Sequence, residues 1–285
     1  MRKPVTALAV AALVTAVAAA PAAASGPSSK SSSSSSSNQH RAVGLVGGTE
    51  LVTFSTRDPR RSGPVGTVTG LQQDTRLVGI DVRVQDGKLY GVGERGGIYV
   101  LDTTTAKATF VQRLTIALEG TNFGVDFNPA ANALRVVSDT GQNLRQPLAT
   151  AGAATVADTP LTTPPAAGTT AGVTAAAYTN NDLDAATATT LFVLNTTADT
   201  VAVQSPANAG TLAATGSLGV DAAAPAGFDI SSTLVKGRTV SVAGYASLSV
   251  GGKSGLYSVS LLTGQVTRVG TFASDVTDIA LPLQR

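Results

Sequence analysis

The sequence predicts an all-β fold, and within that class a five-bladed β-propeller, on three observations. Short apolar runs punctuated by Gly, Asp, Asn and Thr fill the chain from Ala42 onward, with no sustained helical period. A small-apolar-Asp-apolar pattern recurs at Gly79–Val82, Gly124–Phe127 and Gly227–Ile230; Val276–Ile279 is a degraded copy, and Ala175–Tyr178 fills the remaining interval without the Asp. The starts of these segments lie 45, 51, 52 and 49 residues apart, the length of one four-stranded blade. Strand spacing alone would also fit a two-sheet sandwich.

Taken in order, the first segment reads as an export signal. Arg2 and Lys3 supply a positive start, Val5 to Ala20 is apolar but short and Ala-rich, and Ala22-Ala23-Ala24 offers a small-residue cleavage pattern. Residues 1–24 are therefore expected to be a signal peptide, and the protein to be extracellular. Residues 25–41 form a Ser-rich linker that includes the sole histidine, His40, and residues 42–285 form the propeller.

The first expected strands are Ala42–Val46, Glu50–Thr56 and Val65–Thr69. They resemble the later strands of the Asp81 unit, which run Lys88–Val92, Gly97–Leu101 and Ala108–Gln112. The Asp126 unit continues through Ala133–Ser138, Gln142–Arg145 and Ala153–Ala157, and the Asp229 unit through Thr239–Tyr245, Gly255–Ser260 and Gln265–Phe272. The chain then ends just after the single strand around Asp278. Closure follows: that last strand should complete the blade begun at the N-terminus, which removes exposed sheet edges.

Composition excludes whole classes of chemistry. The chain has no Cys and no Trp, one His and one Met, so a Cys nucleophile, a disulfide framework and a thiolate metal site have no residues to build them. With His40 in the linker, no Ser-His dyad can form. The 20 Lys and Arg stand against 18 Asp and Glu; without Arg2 and Lys3 the balance is 18 against 18. A neutral sum gives no support for general affinity to nucleic acid or anionic lipid, and no later apolar run is long enough to span a membrane.

Several motifs imitate chemistry. Gly91-Val92-Gly93-Glu94-Arg95-Gly96 matches the dinucleotide fingerprint but lies between two strands, where a hairpin turn is expected. Asp139-Thr140-Gly141 is half of an aspartic-protease site without its second half. Asn180 to Asp184 places oxygen ligands at alternate positions as a calcium loop does, without the Gly and the distal carboxylate such a loop needs.

The segment Gly124–Pro129 with Leu134–Arg145, supported by Ala175–Asn181 and Gly79–Asp81, resembles a bacterial family known as domain of unknown function 4394, over about Val43 to Leu281. That resemblance implies mostly exported proteins with a propeller-like repeat, and it brings no catalytic residues. Gln146-Pro147 and the Pro-rich stretch Pro160 to Pro165 depart from the family pattern.

The recurring Asp81, Asp126, Asp229 and Asp278 should stand on innermost strands beside the central channel. There they could accept hydrogen bonds from amides joining neighbouring blades, or jointly ligate a hard cation. No organic cofactor is expected; a divalent cation such as calcium is the group this ring could hold. Arg135 is placed to pair with Asp126. On one rim, Glu94, Arg95, Glu119, Asn122, Ser138, Asp139, Gln142 and Asn143 should converge and could recognise a polar ligand by hydrogen bonds. The leading functional class is a secreted, non-catalytic binding or interaction module, expected to be monomeric, with a polar ligand or a protein or cell-surface partner and no nucleic acid. The alternatives are a carboxylate- or cation-dependent extracellular hydrolase or lyase, and a structural component of the cell envelope.

Overall fold

The computed structural model describes residues 41–283; the expected signal peptide and nearly all of the linker, His40 included, lie outside the described residues. Five four-stranded antiparallel sheets form the blades of a propeller. Strands β1 (Arg41–Val46), β2 (Glu50–Ser55) and β3 (Asp58–Thr67) open the first blade. The second contains β4 (Leu77–Val82), β5 (Leu89–Gly93), β6 (Gly97–Leu101) and β7 (Ala108–Arg113). The third contains β8 (Phe123–Asn128), β9 (Ala133–Ser138), β10 (Asn143–Pro147) and the two-residue β11 (Val156–Ala157). Next come β12 (Val173–Tyr178), β13 (Leu191–Asn195), β14 (Thr200–Gln204) and β15 (Leu212–Ser217), then β16 (Ala222–Val235), β17 (Arg238–Val250), β18 (Lys253–Val259) and β19 (Val266–Thr271). The last strand, β20 (Val276–Ala280), is the inner strand of the first blade. It pairs antiparallel with β1, setting Gly44 opposite Ile279 and Leu45 opposite Asp278. The five-bladed ring closed by both ends of the chain is thus the observed architecture, and the sandwich is not.

Three strands run well beyond their sequence expectation. Strand β3 starts at Asp58 rather than Val65, although Pro59, Gly63 and Pro64 read as loop; as an outer edge strand it can carry prolines without losing ladder hydrogen bonds. Strands β16 and β17 form a hairpin whose tip, Leu234 to Thr239, runs well beyond the pairing of β17 with β18, which ends at Gly244 opposite Val259.

Five apolar clusters hold the blades together, one at each blade interface. Leu51 and Leu77 meet between blades one and two, Val92 and Phe127 between two and three, Val137 and Val193 between three and four, Phe192 and Phe228 between four and five. Phe54 and Phe272 close the circle at 5.0 Å in an edge-on pair.

Near the axis the inner strands approach so closely that side-chain volume decides the sequence. A Cβ on Gly124 would lie 2.5 Å from the Ala176 nitrogen, and one on Gly79 the same distance from a Val125 methyl. The glycines that open the Asp81, Asp126 and Asp229 patterns are therefore dictated by the neighbouring blade.

Because β20 supplies both an inner strand and one axial carboxylate, deleting residues 276–285 should abolish cooperative melting and cause aggregation. Circular dichroism melts and light scattering would detect this; an unchanged transition would contradict closure.

Candidate functional site at the central axis and its mouth

Strands alternate in direction, so every blade's first strand enters from one face, here called the mouth face, and exits on the opposite, exit face. Each axial Asp stands two positions after the residue that opens its pattern, Gly79, Gly124, Gly227 or Val276, which brings all four carboxyl groups to one level of the axis. Asp81, Asp126, Asp229 and Asp278 are all buried.

These carboxylates latch neighbouring blades. Asp278 Oδ2 accepts the Ile80 N–H at 2.7 Å, and Asp81 Oδ2 accepts the Phe127 N–H at 2.8 Å. Asp229 Oδ2 accepts the Leu281 N–H, and the Tyr178 backbone N–H bonds to Asp126. The second oxygens of Asp81, Asp229 and Asp278 each accept the N–H of the following residue in their own strand. At the one junction without a carboxylate, where Ala177 stands, Asn181 substitutes: its N–H bonds to Ser232 Oγ at 2.8 Å and its Nδ2 to the Ile230 carbonyl.

Burial pushes all four carboxyl groups up from their ordinary value, Asp229 to about 7. Mutual repulsion adds to this: the Asp229 charge raises Asp81, and Asp81 and Asp229 raise Asp126. Four ionised carboxylates cannot share so small an apolar volume. The ring must hold protons or a cation. One oxygen each from Asp81, Asp126 and Asp229 lies within 4.8 Å of the others, a separation that a hard cation with oxygen ligands at about 2.3–2.6 Å can bridge. Asp278 is not part of that trio.

The expected rim residues are found on the mouth face, but they are largely occupied in holding loops. Glu94 accepts from the Thr75 hydroxyl at 2.6 Å and from Arg76 Nε at 2.9 Å. Asp139 accepts from both the N–H and the side chain of Thr121 and of Asn122. Gln142 ties to the Ala117 carbonyl and the Glu119 N–H. Ser138 is buried against Thr140, and Asn143 is buried between the Arg135 guanidinium and two carbonyls. The Arg95 N–H bonds to Asp74, a residue absent from the sequence expectation.

Asp74 also explains the glycine-rich stretch. A Cβ on Gly93 or Gly97 would overlap its carboxylate, which in addition accepts from the Tyr99 hydroxyl at 2.5 Å and from Arg113 at 3.2 Å. The glycines thus admit a buried carboxylate into a hairpin, not a phosphate. Likewise Asn180 to Asp184 staple blade four to blade five: Asp182 accepts the Thr239 N–H and Asp184 pairs with Arg238 at 2.7 Å.

Arg135 stands opposite Asp126 in the β8–β9 register, yet it does not pair with it. Its guanidinium, 2% exposed, is committed to Asp158 at 2.7 Å, to Asn143 at 2.8 Å and to Asn208 at 2.7 Å, with Nε toward the Tyr178 hydroxyl. Asp126 instead joins the axial ring. Asp158→Ala would strand this buried charge and should destabilise the protein by about 3–5 kcal/mol, read from urea unfolding. A loss below about 1 kcal/mol, the worth of an exposed pair, would show that the network is not structural.

At the entrance to the channel lies a depression of about 420 Å³ with walls from all five blades. Gly48 and Thr277 come from the first, Arg76 from the second, Asn122 from the third, Thr174 from the fourth and Pro225 from the fifth. Of the rim residues expected from sequence, Asn122 alone lines it; Glu119, Gln142 and Asn143 border a separate, smaller cavity beside Asp158.

The ring makes a signed prediction. An unfolded Asp titrates near 3.9, so above that pH the folded ring keeps protons that the unfolded chain has lost, and stability falls as pH rises through about 7. Carboxylates held low by hydrogen bonds, such as Glu94 by Thr75 and Arg76 and Asp102 by Thr104, act oppositely but only under acid conditions. The melting temperature should therefore drop between pH 5 and pH 8.5, and Asp229→Asn should flatten that slope. A melting temperature that rises over this window would contradict a protonated ring; recovery at pH 8.5 on adding calcium, reversed by chelation, would identify a cation as the neutralising group.

No curated protein matches the chain in sequence. Among solved structures, an auxiliary nutrient binding protein from Bacteroides thetaiotaomicron aligns at 15% identity and TM-score 0.37, covering 60% of this chain and 46% of that one. Its counterpart from Bacteroides ovatus aligns at 15% identity and TM-score 0.38 with the same coverage. A protein of unknown function from Bacteroides thetaiotaomicron aligns at 13% identity and TM-score 0.45, covering 85% of this chain and 64% of that one. The chain thus spans less than two thirds of each of these structures, and likenesses this loose carry no functional argument. The sequence profile of the family described as Domain of unknown function (DUF4394) matches residues 50–280, and the chain belongs to that family.

Proposed function

We propose that the protein is an exported, non-catalytic binding module that takes a small polar ligand at the mouth of its central channel. The observation that carries this reading is the concavity to which all five blades contribute. Its volume falls within the roughly 300–1,000 Å³ of small-molecule sites. Its wall combines the half-exposed Arg76 guanidinium, the Asn122 amide and the hydroxyl-bearing Thr121, Thr174 and Thr277. Such a set recognises hydroxyl, carbonyl or carboxylate groups by hydrogen bonding. Aromatic stacking has no part in it, since Phe123 is the sole aromatic residue of the wall and is buried. The rim carboxylates Glu94 and Asp139 support the site indirectly, by fixing the loops that carry Arg76 and Asn122.

The test is a thermal-shift screen of the full chain against neutral and acidic mono- and oligosaccharides, amino acids and cell-wall fragments, since a ligand of the native state raises the melting temperature. For any hit, Thr121→Trp, which fills the mouth from an exposed position, should abolish the shift, and Arg76→Ala should weaken it. A hit unaffected by Thr121→Trp would place the site elsewhere, and turnover of the hit would make the protein an enzyme.

A further inference from the structure

The neutral sum of charge conceals a strong segregation between the two faces of the propeller. On the mouth face, the turns and connections carry nine acids (Glu50, Asp74, Glu94, Glu119, Asp139, Asp158, Asp199, Asp221 and Asp275) against four bases (Arg76, Arg95, Arg113 and Lys253). On the exit face, the described residues provide nine bases against five acids (Asp58, Asp86, Asp102, Asp182 and Asp184). Arg41, Arg57, Arg60 and Arg61 converge at the β2–β3 end of the first blade, where all four are exposed and Asp58 is the one acid among them. Lys88 and Lys107 extend the basic surface across the second blade, and Lys236 and Arg238 cap the protruding hairpin of the fifth.

Exposed aliphatic side chains share this face. Of the seven large hydrophobic residues exposed among the described residues, five lie there: Leu183, 61% exposed, in the β12–β13 loop; Val235, Val240 and Val242 on the protruding hairpin; and Leu262, 82% exposed, in the β18–β19 turn. Beside the hairpin, Val84, Leu183, Leu234 and Leu283 line a cavity of about 470 Å³. A soluble polyanion needs the bases but has no use for the aliphatics. An anionic lipid surface uses both, the bases attracted to headgroups and the aliphatics entering the acyl boundary.

We propose that the exit face is a membrane-docking surface for anionic lipid bilayers, with the protruding β16–β17 hairpin entering the interface and the acidic mouth turned away from it. Charge complementarity selects this occupant: the face that carries the aliphatics is the basic one, and a lipid surface would repel its acidic opposite. The structure thereby orients the mouth outward.

Co-sedimentation of the full chain with vesicles tests the proposal. The protein should pellet with phosphatidylglycerol–phosphatidylcholine vesicles and stay in solution with pure phosphatidylcholine. Two double variants at exposed positions, each confirmed folded by its melting transition, separate the contributions. Arg57→Glu with Arg60→Glu should lower partitioning at least roughly tenfold, each base near an anionic surface being worth about 1 kcal/mol. Leu183→Ser with Val235→Ser should lower it clearly while leaving retention on a heparin column unchanged. Equal pelleting with neutral vesicles, failure to pellet with anionic ones, or heparin retention unaccompanied by vesicle binding would each overturn the proposal, the last in favour of a soluble polyanion as partner.

Discussion

The structure depends on how closely five inner strands can crowd around one axis. Their separation leaves no room for a Cβ at Gly124 or Gly79 without overlapping the next blade. It also deprives the inner-strand amides of water, and buried amides must find acceptors within the protein. At Asp81 and Asp229 a carboxylate two residues beyond the glycine provides two acceptor oxygens at that depth, one for its own strand and one for the neighbour. Small residue, Asp and closed ring are consequences of one geometric constraint.

The same arrangement costs something that the rest of the molecule must offset. Carboxyl groups removed from water and set close together resist ionisation, and the ring retains protons or a cation where exposed aspartates would be charged. Polar latches specify which strands are neighbours, while the five apolar clusters at the blade interfaces provide the burial that makes closure favourable. Away from the axis the mouth-face loops repeat the device with two half-buried carboxylates and one buried amide. Glu94 and Asp139 each hold the connection that enters their own blade, and Asn195 does the same through the Ala171 carbonyl. What those clamps leave open at the axis of the mouth face is the concavity walled by all five blades.

The position of each axial Asp was legible because the pattern recurs at blade-length intervals, and a repeat of that kind has few three-dimensional solutions. The hairpin reading of the Gly91 stretch was legible for a local reason, its position between two strands. Asp74 was not, because its importance comes from meeting Gly93, Gly97, Tyr99 and Arg113, residues that nothing in its own neighbourhood announces. Arg135 shows the limit from the other side. Register alone put it opposite Asp126, but a long side chain chooses among all acceptors within reach, and Asp158 lies in the connection just after β11, whose packing only the assembled blade determines.

Sequence by itself therefore determined the all-β class, the blade count, the closure by both termini and the axial carboxylates, since all of these follow from local pattern and its period. Tertiary structure decided which polar residues are spent on holding loops, where a concavity is left open, and how charge is distributed. A sum of charges is a property of composition, whereas its segregation into an acidic mouth and a basic, aliphatic exit face arises from strands alternating in direction, which sends successive turns to opposite sides of the ring.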